Sequence, residues 1–240
     1  MALPTRRDEA WRYADMAAVA AAWPLPAPEA VIVPARGHFA RQIVNGGGIH
    51  QIALSLGKRA TAAVHILNHG AGYARVELAV TLHEGADFTL GAAQVGGGDA
   101  TLEIVTTVTH AEPGGTSRQI VRSVLDGSAT GSYLGKVAVA RDAQQTDSEQ
   151  SVKAMLLARG ATANSKPELE IYADDVKCAH GATVGELDAM ALFYLAARGI
   201  APADAKRLML QAFIADAFAE AGDAREAMAA AALAALGDML

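Results

Sequence analysis

The sequence predicts a mainly β protein with helical segments at both ends. Three observations carry that prediction. Apolar residues alternate with polar ones through the middle of the chain, glycine-bearing turns separate the alternating runs, and the two ends change to helical spacing. The 240 residues are enough to bury a sizeable core.

Residues 1–30 read as a small N-terminal helical arm and linker. The stretch "DEAWRYADMAAVAAA" is rich in helix formers, and "WPLPAP" then places Pro24, Pro26 and Pro28 where no helix continues. Residues 31–183 form the β body. In "RVELAVTL", Val76, Leu78, Val80 and Leu82 share one face while Arg75, Glu77 and Thr81 lie on the other. Similar runs are "IHQIALSL", "TAAVHIL", "TLEIVTTVTH", "SRQIVRSVL" and "GKVAVA", divided by turns such as "NGGG", "HEGA", "VGGGD", "EPGG" and "DGS". Sandwich, barrel and β-solenoid all satisfy this pattern, and the lack of a strict repeat motif tips the residues toward a sandwich or barrel.

Residues 184–240 form a C-terminal helical domain. Asp188 stands as an N-cap before "AMALFYLAA", with Met190, Phe193 and Ala197 at helical spacing and Gly199 as the stop. Pro202 suits the first turn of a second helix, and Asp223 with Glu226 resembles the capping box of a third. The second helix is apolar on two sides. Leu208, Met209, Ala212 and Phe213 form one stripe; Leu210, Ile214, Ala217 and Phe218 form the other. Such a helix is either deep in a core or held between its own domain and a partner.

Composition excludes several classes. Charged residues make up 19% and no run approaches the roughly 20 apolar residues of a spanning helix, which argues against a membrane protein. The net charge of −6, without clustered Lys or Arg, argues against nucleic acid. The first residues carry charges where an export signal needs an apolar core, and the single cysteine, Cys178, forms no internal disulfide. A cytoplasmic protein is expected.

Several motifs only look chemical. "GSYLGKV" has three residues between its glycines where a phosphate-binding loop has four, and Val137 stands where that loop carries Ser or Thr. "NGGGIH" and "VGGGD" lack the spacing of a dinucleotide fold. His65 and His69 lie in a strand-then-turn context, which points to surface or hydrogen-bonded histidines, and His110 reads as a strand residue.

Cys178 and His180 differ in kind. On a strand their spacing of two puts both side chains on one face, with Cα atoms about 6.5–7 Å apart. A thiolate and an imidazole there can ligate one metal or cluster, or act as nucleophile and base; a plain buried thiol is the third alternative. Two ligands fall short of the usual four, so a metal would draw the remainder from elsewhere in the fold or from a second chain.

At this point the residues resemble a known family. "SKPELEIYADDVKCAHGATVGELDAMALFYLAARGI" (165–200) is similar to the signature of the SufB/SufD family of iron–sulfur cluster assembly proteins. "DAQQTDSEQSVKAMLLA" (142–158) resembles the segment that precedes it, and "EAWRYADM" resembles the family's N-terminal tryptophan motif. Gly181 after His180 matches the SufD form, where SufB carries a glutamate.

The resemblance implies a right-handed parallel β-helix with a small N-terminal helical arm and a C-terminal helical domain. It implies a non-catalytic scaffold that pairs with a SufB-like paralogue and binds a SufC-like ABC-type ATPase, with a homodimer as the other assembly open to the isolated chain. Cys178 and His180 become candidate iron or cluster ligands at the SufB interface, the iron or iron–sulfur cluster being held transiently in the complex and not stably by the isolated chain. Leu208, Met209, Phe213 and Phe218 become candidate ATPase-docking residues.

Overall fold

A computed structural model describes residues 2–237. Its body is built from twelve strands: β1 (Glu29–Val33), β2 (His38–Asn45), β3 (Gly48–Leu56), β4 (Thr61–Gly70), β5 (Tyr73–Leu82), β6 (Asp87–Gly96), β7 (Thr101–His110), β8 (Thr116–Leu125), β9 (Thr130–Val139), β10 (Thr146–Leu156), β11 (Thr162–Ile171) and β12 (Val176–Gly185). No two consecutive strands pair. The odd strands form one sheet in the order β1-β3-β5-β7-β9-β11 and the even strands a second, β2-β4-β6-β8-β10-β12. Every ladder is parallel.

The chain is therefore a parallel β-solenoid in which each turn lays one strand on each sheet. That corrects the sandwich or barrel favoured by the residues alone and agrees with the family resemblance. Alternation reveals which face a side chain occupies, and it reads the same whether the strand's neighbour is the next strand or the one after it. One turn of the coil takes 23 residues between His38 and Thr61 at the start and 32 between Ser132 and Asn164 near the end.

Apolar residues on alternate positions fill the space between the sheets. Val64, Ile66, Val76, Leu78, Leu90, Ile104 and Val121 are buried in one cluster there. Turns stack as regularly as strands. Along one edge Arg36, Arg59, Gly85, Gly114 and Gln145 all take positive φ, between 56° and 71°. Each of their backbone N–H groups donates to a carbonyl of the next turn, at Lys58, Glu84, Pro113, Gln144 and Asp175 in order. The repeat thus resides in backbone conformation, with glycine at only two of five positions, which hides it from a search for a sequence motif.

The N-terminal arm contains a 3-10 turn (Glu9–Trp11) and helix α1 (Met16–Ala22), capped by Asp15, which accepts from the N–H groups of Ala17 and Ala18. It lies against the outer face of the odd-numbered sheet. The Arg75 guanidinium stacks 3.9 Å from the Trp11 ring, donates to Ala10 O at 2.8 Å and pairs with buried Glu103 at 3.2 Å.

Three helices follow the solenoid: α2 (Ala189–Ala197), α3 (Pro202–Ala215) and α4 (Arg225–Gly237). Asp188 caps α2, accepting from Met190 N, and Pro202 opens α3. Asp223 makes no cap bond, because it lies inside a 3-10 turn (Gly222–Ala224) that leads into α4.

Helices α3 and α4 pack on the outer face of the even-numbered sheet, where Leu67, Ala93, Val95 and Val124 meet Leu210, Ile214, Phe218, Met228 and Ala232. The seam is tight. A Cβ on Gly91 would run into the carbonyl oxygen of Ala217, so that glycine is what admits the helical backbone to the sheet. Arg122 Nε donates to Asp216 at 2.8 Å beside it.

Candidate functional site

The last turn of the solenoid is uncovered. β11 pairs only with β9 and β12 only with β10, so each offers an unpaired outer edge. Sequence reading treats "IYADDVKCAH" as one strand, whereas the chain turns at residues 172–175 and β12 begins at Val176. The alternation nevertheless holds. Cys178 lies in register with Ser148 and His180 with Gln150, two residues whose side chains are buried inside the coil. Both members of the pair thus belong to the inward-facing row of the terminal strand.

Their surroundings differ. Cys178 is half-buried and packs against the solenoid core, whereas His180 is exposed. Burial pushes the Cys178 thiol up and nearby Asp147 adds to the rise, outweighing a hydrogen bond with the backbone of Ser148. The thiol is therefore protonated at neutral pH. Asp174 and Asp175 do not orient His180, since both are exposed in the turn, where Asp175 is tied by its backbone to Gln144 and Gln145.

Beneath the pair the coil interior is polar. His110 Nε2 meets Ser117 Oγ at 2.9 Å, and Ser117 meets Ser148 at 2.8 Å, a row that ends under Cys178. Burial pushes His110 down to about 4. A second group joins Thr106, Gln119, Tyr133 and Gln150. Thr106 Oγ1 and the Tyr133 hydroxyl each lie 3.1 Å from Gln119 Oε1, and Gln150 Nε2 donates to the Tyr133 hydroxyl at 3.3 Å. Sequence reasoning missed these residues. The signal lay in "SEQSVKA", where Ser148, Gln150, Val152 and Ala154 alternate inward, with polar members occupying core positions.

Gly135, read from sequence as part of a false phosphate loop, is an interior strand residue. A Cβ there would strike the Tyr133 ring, so the glycine makes room for the only aromatic hydroxyl in this group. His65 corrects the expectation of a surface or hydrogen-bonded histidine. It is buried against Phe218, with ring centroids 6.5 Å apart, and neither ring nitrogen has a hydrogen-bond partner among the described residues. His69 lines a cavity of about 400 Å³ with Gly70, Gly98 and Asp126.

As a donor set, the terminal turn offers one sulfur and one imidazole. Among the described residues no group of three or more His, Cys, Asp or Glu side chains gathers in a geometry that could hold a metal ion. The pair can supply part of a coordination sphere, or hydrogen bonds, at an edge that another sheet could extend.

The residues named for ATPase docking separate into two environments. Leu208 is 49% exposed, and Met209 and Phe213 are half-buried. Phe218 is 0% exposed and faces the solenoid, so it corrects to a seam residue, on the same side of the helical unit as Leu210 and Ile214. More apolar surface lies on α2, where Met190, Phe193 and Tyr194 are 72%, 68% and 57% exposed. None of the helix's residues is buried. No described helix is long and apolar enough to cross a membrane.

Comparison with known proteins agrees with this architecture. Residues 43–213 match the family described as SUF system FeS cluster assembly, SufBD core domain. A SufBD family protein of Synechocystis, slr0076, is 34% identical over 179 residues, which cover 73% of this chain and 40% of the relative. SufD of Escherichia coli is 41% identical over 42% of this chain and 24% of the relative. Protein ABCI7, chloroplastic, of Arabidopsis thaliana is 40% identical over 48% of this chain and 24% of the relative. The matches therefore span well under half the length of these relatives. With a family match across most of its length, from the second strand into the third helix, the chain belongs to the SufB/SufD family of iron–sulfur cluster assembly proteins.

Proposed function

We propose that this chain is a SufD-like, non-catalytic scaffold subunit of a cytoplasmic iron–sulfur cluster assembly complex. It pairs with a SufB-like paralogue through the open end of the solenoid and carries a SufC-like ABC-type ATPase on its C-terminal helices. Iron, or the growing cluster, is cargo held transiently at the paired end, where Cys178 and His180 supply two donors and the partner supplies the others.

The observation that carries this reading is the position of Cys178 and His180 on the uncovered terminal strand. A partner that adds strands to β11 and β12 continues both sheets and encloses the pair. Sulfur and imidazole suit iron, and an incomplete donor set in one chain suits a site finished by two. ATP hydrolysis belongs to another subunit, because the glycine-rich segments here are strands and turns. The exposed apolar surface of α2 and Leu208 supports the docking role of the helical unit.

A Cys-His nucleophile is disfavoured by a thiol pushed upward and by the absence of an orienting carboxylate at His180. An inert interaction module differs from the scaffold reading in having no dependence on iron.

The test is co-expression with SufB-like and SufC-like partners, measuring the mass of the purified complex and its rate of cluster maturation. The intact chain is expected to recruit both, and Cys178→Ala with His180→Ala to retain the assembly but mature clusters more slowly. Normal maturation by the double variant would sink the role given to the pair.

A further inference from the structure

We propose that Gln150 is a positioning residue for His180: its side-chain oxygen accepts a hydrogen bond from one imidazole nitrogen and directs the other, with its lone pair, out of the open end. This deepens the reading of His180 as an iron donor and rests on it for its functional meaning, although the contact itself does not.

Gln150 is 1% exposed, and its Oε1 is buried with no hydrogen-bond partner among the described residues. Its amide is anchored from below. The Tyr133 hydroxyl lies 3.0 Å from Thr106 Oγ1, donates to Gln119 Oε1 at 3.1 Å and accepts from Gln150 Nε2 at 3.3 Å, an arrangement that leaves Gln150 Oε1 free. Gln119 Nε2, one turn below, also lacks a partner and does not reach Gln150 Oε1. On the other side the layer above Gln150 is β12. Its residue in register is His180, about 4.8 Å away strand to strand, and its inward neighbours Cys178 and Ala182 offer a weak donor and none.

His180 is the one strong donor in that layer. The ring is exposed, and it shares with Gln150 a cavity of about 310 Å³ that leaves it room to turn. Leaving a buried carbonyl oxygen without a donor costs more than the rotamer freedom an exposed imidazole gives up, so the docked rotamer is the favoured one. Histidines that ligate metals are commonly held this way, through the nitrogen that does not face the metal.

The experiment is nitrogen NMR of the imidazole rings in the purified chain at about pH 8, where an ordinary histidine is neutral. The His180 signals are assigned by their loss in His180→Ala. A single His180 tautomer is expected in the wild type, a mixture in Gln150→Met, and a single tautomer again in Gln150→Glu, which restores an acceptor oxygen. A tautomer mixture in the wild type, or no change in Gln150→Met, overturns the proposal.

If Gln150→Met fails to fold, the wild type and Gln150→Glu still decide. Titration with Co(II) separates the two readings. Gln150→Met is expected to bind it roughly tenfold or more weakly and Gln150→Glu to recover. Binding unchanged in His180→Ala would remove the iron reading while leaving the tautomer result intact.

Discussion

At the scale of single residues, the interior of this solenoid converts small groups into large constraints. His110 is held near 4 by burial, below its ordinary value of 6.5. Its neutral form is the one the fold accepts, so its contribution is fully present above about 6.5 and is lost as pH falls toward 4. Urea unfolding is expected to show a loss of about 2 kcal/mol from this residue between about pH 7 and 5, so that a folded His110→Gln variant loses less over that range by about this amount, buried His65 adding a loss of the same sign in both proteins. Cys178 shifts the other way: alkylation by iodoacetamide at neutral pH is expected to run slower than for a free thiol, and a faster rate would restore the enzyme reading. What sequence made legible here was the pairing of Cys178 and His180 on one face. Their supports, Ser148 and Gln150, were not legible, because which residue stacks beneath a strand depends on the length of a whole turn.

Elements show the same division. The two apolar stripes of α3 were readable from spacing, and the structure puts Leu210 and Ile214 in the seam while Leu208 faces out. Phe218 was grouped by spacing with Leu210 and Ile214 and does share their seam, although the helix ends at Ala215 and a 3-10 turn (Asp216–Phe218) carries it there; only its naming as a docking residue is overturned. Phe218→Ala is expected to cost about 3–5 kcal/mol in chemical denaturation. Charged substitutions at Met190, Phe193 and Leu208 are expected to leave stability nearly unchanged and to remove only the ATPase subunit from the purified complex. The arm makes a separate test. Trp11→Ala uncovers the Arg75–Glu103 pair, and limited proteolysis is expected to cut within residues 2–28 far sooner than in the wild type.

For the whole molecule, composition and alternation pointed to a β body with helical ends, and that much was legible without a partner for any strand. The choice of a parallel coil was not, because a solenoid's repeat is kept by left-handed turn conformations that Arg36, Arg59 and Gln145 adopt as well as glycine. The long match to the SufB/SufD signature supplied what periodicity lacked. Since each turn touches chiefly its neighbours, stability is spread along the axis, and the terminal turns, whose outer edges are unpaired, are expected to exchange first. Hydrogen exchange should show amides of β11 and β12 protected late and weakly in the isolated chain, and strongly once a SufB-like partner is bound. Equal protection in both states would count against pairing at this end.

The lengthening of the coil from 23 to 32 residues per turn gives the molecule a taper. A tapered stack has two unlike mouths, a narrow one at β1 and β2 and a broad one at β11 and β12. Two such stacks can be joined without a step in perimeter only by matching mouths of equal girth. A partner that prolongs both sheets at the broad mouth must then present a terminal turn of similar circumference, a condition that the narrow mouth of a second copy does not meet.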